Sequence, residues 1–253
     1  MSSILQEQFL LTFLRIFGGV LILPGGYAII PLAARVSLAL SLAFICVPLS
    51  VDEHFQALPV SYPIEVLIGL SLVFPISLVA EVFRTLGELL EQARGQNLGM
   101  MYGASTDMFS ENPFPRLLQM SFICGLFITG IHTDYLILLF ESFEKLPVGH
   151  TIWHQGFLEF SSQFLHYSFQ LFVTSLTIFL PIGFIFMLCD IGVGFLSKLV
   201  PGLPIFGELF FVKSGILLIL LITSFSLLHR DIAIELAENA ARMARQSISA
   251  FGG

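Results

Sequence analysis

Residues 64–94 read IEVLIGLSLVFPISLVAEVFRTLGELLEQAR. The first half is apolar apart from Glu65, and Pro75 marks an expected kink. The second half changes character. Glu81, Arg84, Glu88 and Glu91 recur at i, i+3, i+7 and i+10, one face of a helix, while Phe83, Leu86, Leu89, Leu90 and Ala93 fill the remainder. Opposite charges fall at pairing distance, Glu81 with Arg84 and Arg84 with Glu88. As one helix the stretch is about 46 Å long at 1.5 Å per residue, against roughly 30 Å for the hydrocarbon core of a bilayer. Part of it therefore meets water or polar protein, and the charged stripe is expected to face a polar seam or pore inside an assembly.

Beyond this helix comes a break, RGQNLGMMYGASTDMFSENPFPR over residues 94–116. Gly95, Gly99 and Gly103 free the backbone and read as hinges, whereas Pro113 and Pro115 are expected to stop any helix. Met100, Met101, Met108, Phe109 and Phe114 put soft apolar bulk where a plain connector would be polar. That combination predicts a movable, plug-like segment whose Met and Phe side chains act as a gasket.

The composition fits a membrane protein. Of the 253 residues, 56% are hydrophobic and only 11% charged, with a mean hydropathy of +0.90, whereas charged residues approach about 25% of an ordinary soluble domain. The apolar runs are too long and unbroken for the alternating strands of an outer-membrane barrel. Cys46, Cys124 and Cys189 sit singly in apolar runs and read as small core residues, not as a disulfide framework or zinc site. A net charge of −7 with scattered basic residues argues against a nucleic-acid partner. No basic residue precedes the first apolar run, so a removable signal peptide is not expected. Phe accounts for 27 of the aromatics, beside five Tyr and Trp153 alone, a poor interfacial belt that points to helices packed against other protein more than against lipid.

In chain order, the first apolar run, Phe9 to Leu23, is short and carries Arg15 near its middle, so it does not read as a lipid-facing span. Pro24, Gly25 and Gly26 turn the chain, and Pro31 restarts it into a helix from Leu32 to Leu49 with Arg35 one turn in, completing a hairpin. After the break, Leu117 to Phe140 is apolar except for His132 and Asp134 beside Gly130, either two short halves or one span. A loop to Gly149, an interfacial segment His150 to Ser162 and a span Phe164 to Cys189 ending at Asp190 follow; Gly192, Gly194, Pro201 and Gly202 then loosen the backbone before a last span, Ile205 to Leu228, which holds Glu208 and Lys213. The tail from His229 to Phe251 is amphipathic. The expectation is an all-α chain of membrane-type helical hairpins with about six apolar helices, one domain over 1–253, divided as 1–93, the plug-like 94–116, 117–228 and the tail 229–253. The distribution of Lys and Arg leaves its orientation in the membrane open.

No phosphate-binding loop, nucleophile elbow or paired-cysteine site is present, which disfavours an enzyme and calls for no cofactor. His150 and His154 at i, i+4 lack a carboxylate cluster and read as interfacial residues, so no metal site is assigned. Arg15, Arg35, Glu65, Asp190 and Lys213 lie in apolar surroundings where a charge needs a partner. They suit a polar seam in an assembly. They equally suit a proton- or ion-coupled secondary transporter with Asp190, Lys213 and segments broken at Pro181 and Pro201, which is the alternative reading.

Arg15 with Pro24, Pro31 and Arg35; Glu65 with Gly69; Gln92-Ala-Arg-Gly95; Leu146-Pro147-x-Gly149; Pro181; Asp190; and Lys198-x-x-Pro201-x-x-x-x-Phe206 follow in the order seen in the FliR/SctT family, which this chain resembles over nearly its whole length. Lys198 stands where that family more often has Arg, and the Arg-Gly before the break is closer to the injectisome (virulence) branch than to the flagellar one. The resemblance implies an export-gate subunit of a type III protein secretion system in the bacterial inner membrane, within the basal body. It implies FliP/SctR-type, FliQ/SctS-type and FlhB/SctU-type partners besides membrane lipid. Unfolded secreted proteins would be the cargo, passing a Met- and Phe-lined constriction closed at rest.

Overall fold

The computed structural model describes residues 2–24, 30–50, 59–94, 113–149, 154–199, 212–219 and 231–252. Every regular element among them is a helix: α1 Ser2–Leu21, α2 Leu32–Ser50, α3 Ser61–Arg94, α4 Pro113–Thr129, α5 Ile131–Lys145, α6 His154–Leu199, α7 over 212–219 and α8 Asp231–Gly252. α3 runs unbroken through Pro75. α2 starts and ends where the prolines and the polar loop predicted, with Pro48 tolerated in its last turn.

Two local expectations fail, each for a backbone reason. Pro113 and Pro115 open α4 and do not stop a helix, because the first turn needs no donor from their nitrogens and their φ is already helical. Residues 154–162 of the interfacial segment, the span ending at Asp190 and residues 191–199 after it form one helix, α6, which passes through Pro181, Gly192 and Gly194. A helical Gly costs only about 1 kcal/mol against Ala, and an apolar setting with no competing water holds the backbone in its own hydrogen bonds. Of the two readings left open for the 117–140 run, the structure takes two short helices. Gly130 takes the left-handed conformation (φ 79°) and the pair is bent by 73°.

α3 and the Phe164–Leu196 part of α6 are long and apolar enough to cross a membrane, and α4 with α5 would count as a third, broken, crossing. The apolar Leu32–Pro48 stretch of α2 is shorter than that test requires.

The chain divides into two compact units whose boundaries cut α3, α4, α6 and α8. The first comprises residues 1–80, 123–168 and 235–253. Here α1 packs on α2 and α2 on α5, around Leu11, Ile16, Ala39, Ala43, Cys46 and Phe143. α1 meets α3 backbone to backbone: a Cβ on Gly18 would strike the carbonyl of Val66, and one on Gly69 the carbonyl of Arg15. Small residues at a helix crossing allow this approach. α8 lays Leu236, Ala240, Met243, Ala244 and Ile248 inward and leaves Glu235, Glu238, Arg242 and Arg245 exposed, the amphipathic pattern expected of the tail. The second unit, residues 81–122 and 169–234, centres on Leu86, Leu90, Leu118, Phe186 and Leu217. The rings of Phe83 and Phe122 stack at 4.7 Å, and Pro115 lies so close to Gly87 that a Cβ there would be 2.5 Å from its Cα.

Candidate functional site

The first unit is fastened by a buried guanidinium. Arg15, fully enclosed on α1, donates from Nε to Glu65 Oε2 of α3 at 2.5 Å and from Nη1 to the carbonyls of Ser142 (3.0 Å) and Leu146 (2.9 Å) at the end of α5. Its charge also sits 4.8 Å from the centre of the Phe143 ring. The other oxygen of Glu65 accepts the backbone N–H of Gly149 at 2.9 Å. One planar fork thus answers a carboxylate, the Leu146 carbonyl just past the end of α5 and the Ser142 carbonyl, which also accepts the Leu146 N–H at 3.0 Å. The arrangement is a rivet between α1, α3 and the α5 terminus.

Arg35 does the same for α1. Its Nε donates to Ile30 O at 3.1 Å, and Nη1 reaches the carbonyls of Val20 (3.3 Å) and Leu21, so a buried cation closes the C-terminal end of α1 where the helix dipole favours it.

The charged stripe of α3 lies in the second unit. Glu81, Arg84 and Glu88 are about half exposed, with Arg84 Nη1 to Glu81 at 3.4 Å and Nε to Glu88 at 3.3 Å. Gln119 of α4 joins them, donating to Glu81 Oε2 at 3.3 Å. Glu91 departs from the stripe: it is buried and pairs at 2.6 Å with Arg94, whose guanidinium rests 5.7 Å from the centre of the Phe114 ring. Phe114, expected in the loop, is on α4 and packs against the Leu86, Leu90 and Phe186 cluster.

Lys213 and Asp190, distant in sequence, form a 2.6 Å ion pair between α7 and α6. The lysine is 4% exposed and the aspartate 53%, so a buried ammonium meets a half-solvated carboxylate. Nζ also donates to the carbonyl of Ala93 at 3.0 Å and stands 5.8 Å from the centre of the Phe186 ring. Met100, Met101, Met108, Phe109, Gly95, Gly99 and Gly103 lie outside the described residues, as do Glu208 and His150.

Sequence reasoning named Arg15, Glu65, Arg35, Asp190 and Lys213 but assigned them no partners. It missed Gln119, and it missed Gly18 as a contact for α3. The signal for Gly18 was present, since small residues at 18, 19 and 69 on two neighbouring apolar helices mark a close crossing.

The motif residues that stand far apart in the chain, Arg15, Glu65, Gly69, Leu146 and Gly149, therefore meet at one point. The profile of bacterial export proteins, family 1, matches residues 7–238, a stretch that contains all of them. The chain belongs to this family of bacterial export proteins. It is similar to the secretion system apparatus protein SsaT of Salmonella typhimurium, at 28% identity over 166 residues, 64% of this chain and 61% of SsaT. It is also similar to the flagellar biosynthetic protein FliR of Bacillus subtilis, at 25% identity over 242 residues, 90% of each. The chain thus spans less than two thirds of SsaT and nearly all of FliR. This export protein has two helices, or three counting the bent α4–α5 pair as one, that are long and apolar enough to cross a membrane.

Proposed function

We propose that this export protein is a non-enzymatic subunit that helps form and close the conduit for unfolded substrate proteins, assembled with FliP/SctR-type, FliQ/SctS-type and FlhB/SctU-type proteins. The observation that carries the reading is the Arg15 rivet: the residues that mark the family build a rigid joint between helices, not a reaction centre. The exposed apolar residues of α6, among them Phe172, Leu180, Phe184, Met187 and Phe195, supply surface for neighbouring helices or lipid. The plug-like reading of residues 94–116 belongs to this proposal, with Met100, Met101, Met108 and Phe109 as the seal. The slightly higher identity to SsaT than to FliR favours the injectisome branch.

The test is isolation in mild detergent. Recovery in a stable complex with two kinds of small helical membrane protein in several copies supports the reading; a lone protein that binds a small solute rejects it. The second outcome would favour the secondary transporter, to which the Lys213–Asp190 pair lends its one specific observation.

The stripe gives a sharper prediction. Arg84→Glu replaces two attractive contacts with repulsive ones, yet at half-exposed positions each is worth roughly 0.2–1 kcal/mol, too little to unfold the chain. If Glu81, Arg84 and Glu88 face a neighbouring subunit, the variant will be present in membranes at wild-type level while complex yield and secretion fall severalfold. Wild-type values for both would return the stripe to open solvent.

A further inference from the structure

Lys213 binds in two unequal ways. Its bond to Asp190 joins two charges at 2.6 Å, whereas its bond to Ala93 at 3.0 Å runs to a neutral carbonyl. A buried ammonium cannot dispense with its carboxylate, so Asp190 keeps the lysine and the contact with α3 is the one that can be released. Ala93 is the next-to-last residue of α3, among the four whose carbonyls have no intrahelical donor, so losing Lys213 breaks none of that helix's own bonds. The four-carbon stem can pivot while its other donors stay on Asp190, which is itself half exposed and so partly solvated throughout. The same helix end carries Arg94, whose guanidinium lies 5.7 Å from the centre of the Phe114 ring on α4.

We propose that Lys213 is a positioning latch: at rest it ties the C-terminal end of α3 to α6 and α7 through Ala93 and Asp190, and it lets go of Ala93 when cargo passes. The inference rests on the proposed conduit function, but its test separates the two. A helix cap of purely structural use would make the same contacts, and it would fail differently.

Purified complexes carrying Lys213→Met or Lys213→Arg should be compared with wild type in planar bilayers, alongside complex yield. Met keeps an unbranched stem of similar length and removes the cation that stands 5.8 Å from the centre of the Phe186 ring; Arg keeps the charge and can reach both partners. The latch predicts wild-type yield for both variants, with resting ion conductance up to about tenfold higher for Lys213→Met, the shift that one lost hydrogen bond of ordinary strength gives, and wild-type tightness for Lys213→Arg. A Lys213→Met complex as tight as wild type overturns the proposal. So does failure of Lys213→Met to assemble, which would assign the lysine to folding alone. Absence of the wild-type chain from any such complex would instead reject the conduit function.

Discussion

Replacing Arg15 with alanine is expected to remove most of the protein from the membrane. The substitution leaves the Glu65 carboxylate buried with only the Gly149 N–H as donor, takes the Arg15 donor from the Leu146 carbonyl and leaves the Ser142 carbonyl with the Leu146 N–H alone. Breaking a buried pair by removing one partner costs about 3–5 kcal/mol, a large share of the roughly 5–15 kcal/mol that keeps a typical domain folded. The cavity left beside Phe143 adds to this loss. Arg15→Lys keeps the charge but cannot fork to three acceptors in fixed directions, so it should recover only part of the loss. Quantitative blotting of membrane fractions, with thermal unfolding in detergent for whatever survives, measures both variants. Wild-type abundance and melting for Arg15→Ala would show that the rivet contributes nothing to the fold.

Deleting Met100 to Phe109 should act on function and not on the fold. The deletion leaves eight residues between Arg94 and Pro113, a reach of up to about 26–29 Å, and the side chains of Arg94 and Phe114 already touch. The shortened chain can therefore close without disturbing α3 or α4. What it removes are Met100, Met101, Met108 and Phe109, whose adaptable apolar side chains are the proposed seal against water and ions. Cells carrying the deletion should assemble the complex at wild-type yield yet show resting ion leakage, read as loss of membrane potential or salt sensitivity. A fully assembled complex in tight membranes would reject the plug.

The sequence makes the helical hairpin of α1 and α2 legible because Pro24 and Pro31 bracket the turn, and because a central Arg15 rules out a free lipid span. The α3 stripe is legible for the same reason that helices have a face: Glu81, Arg84 and Glu88 pair as their spacing requires. Glu91 shows the limit of that argument. Periodicity fixes the direction a residue takes from its own helix, while burial depends on what else arrives, here a pairing with Arg94 on the same helix and packing in the second unit.

The α6 helix was hidden because Pro and Gly act as punctuation only where water competes for the backbone, and an apolar environment removes the competitor. Partners were hidden for a different reason. A buried Arg15 demands acceptors, but nothing local says that they stand 50 and 127 positions away. The short motifs of the resemblance carried that information in their order, each weak alone, and the fold explains why they occur together: Arg15, Glu65, Leu146 and Gly149 are parts of one joint.

The central claim is that this chain lines a path for unfolded protein. Its most direct test is to place a photo-crosslinking amino acid at Met101 in secreting cells and to stall a secretion substrate by fusing it to a tightly folded domain. The account predicts an adduct between the stalled substrate and this chain, dependent on light and on the stall. No adduct at Met101, while the same stalled substrate crosslinks to another subunit of the apparatus, would contradict it.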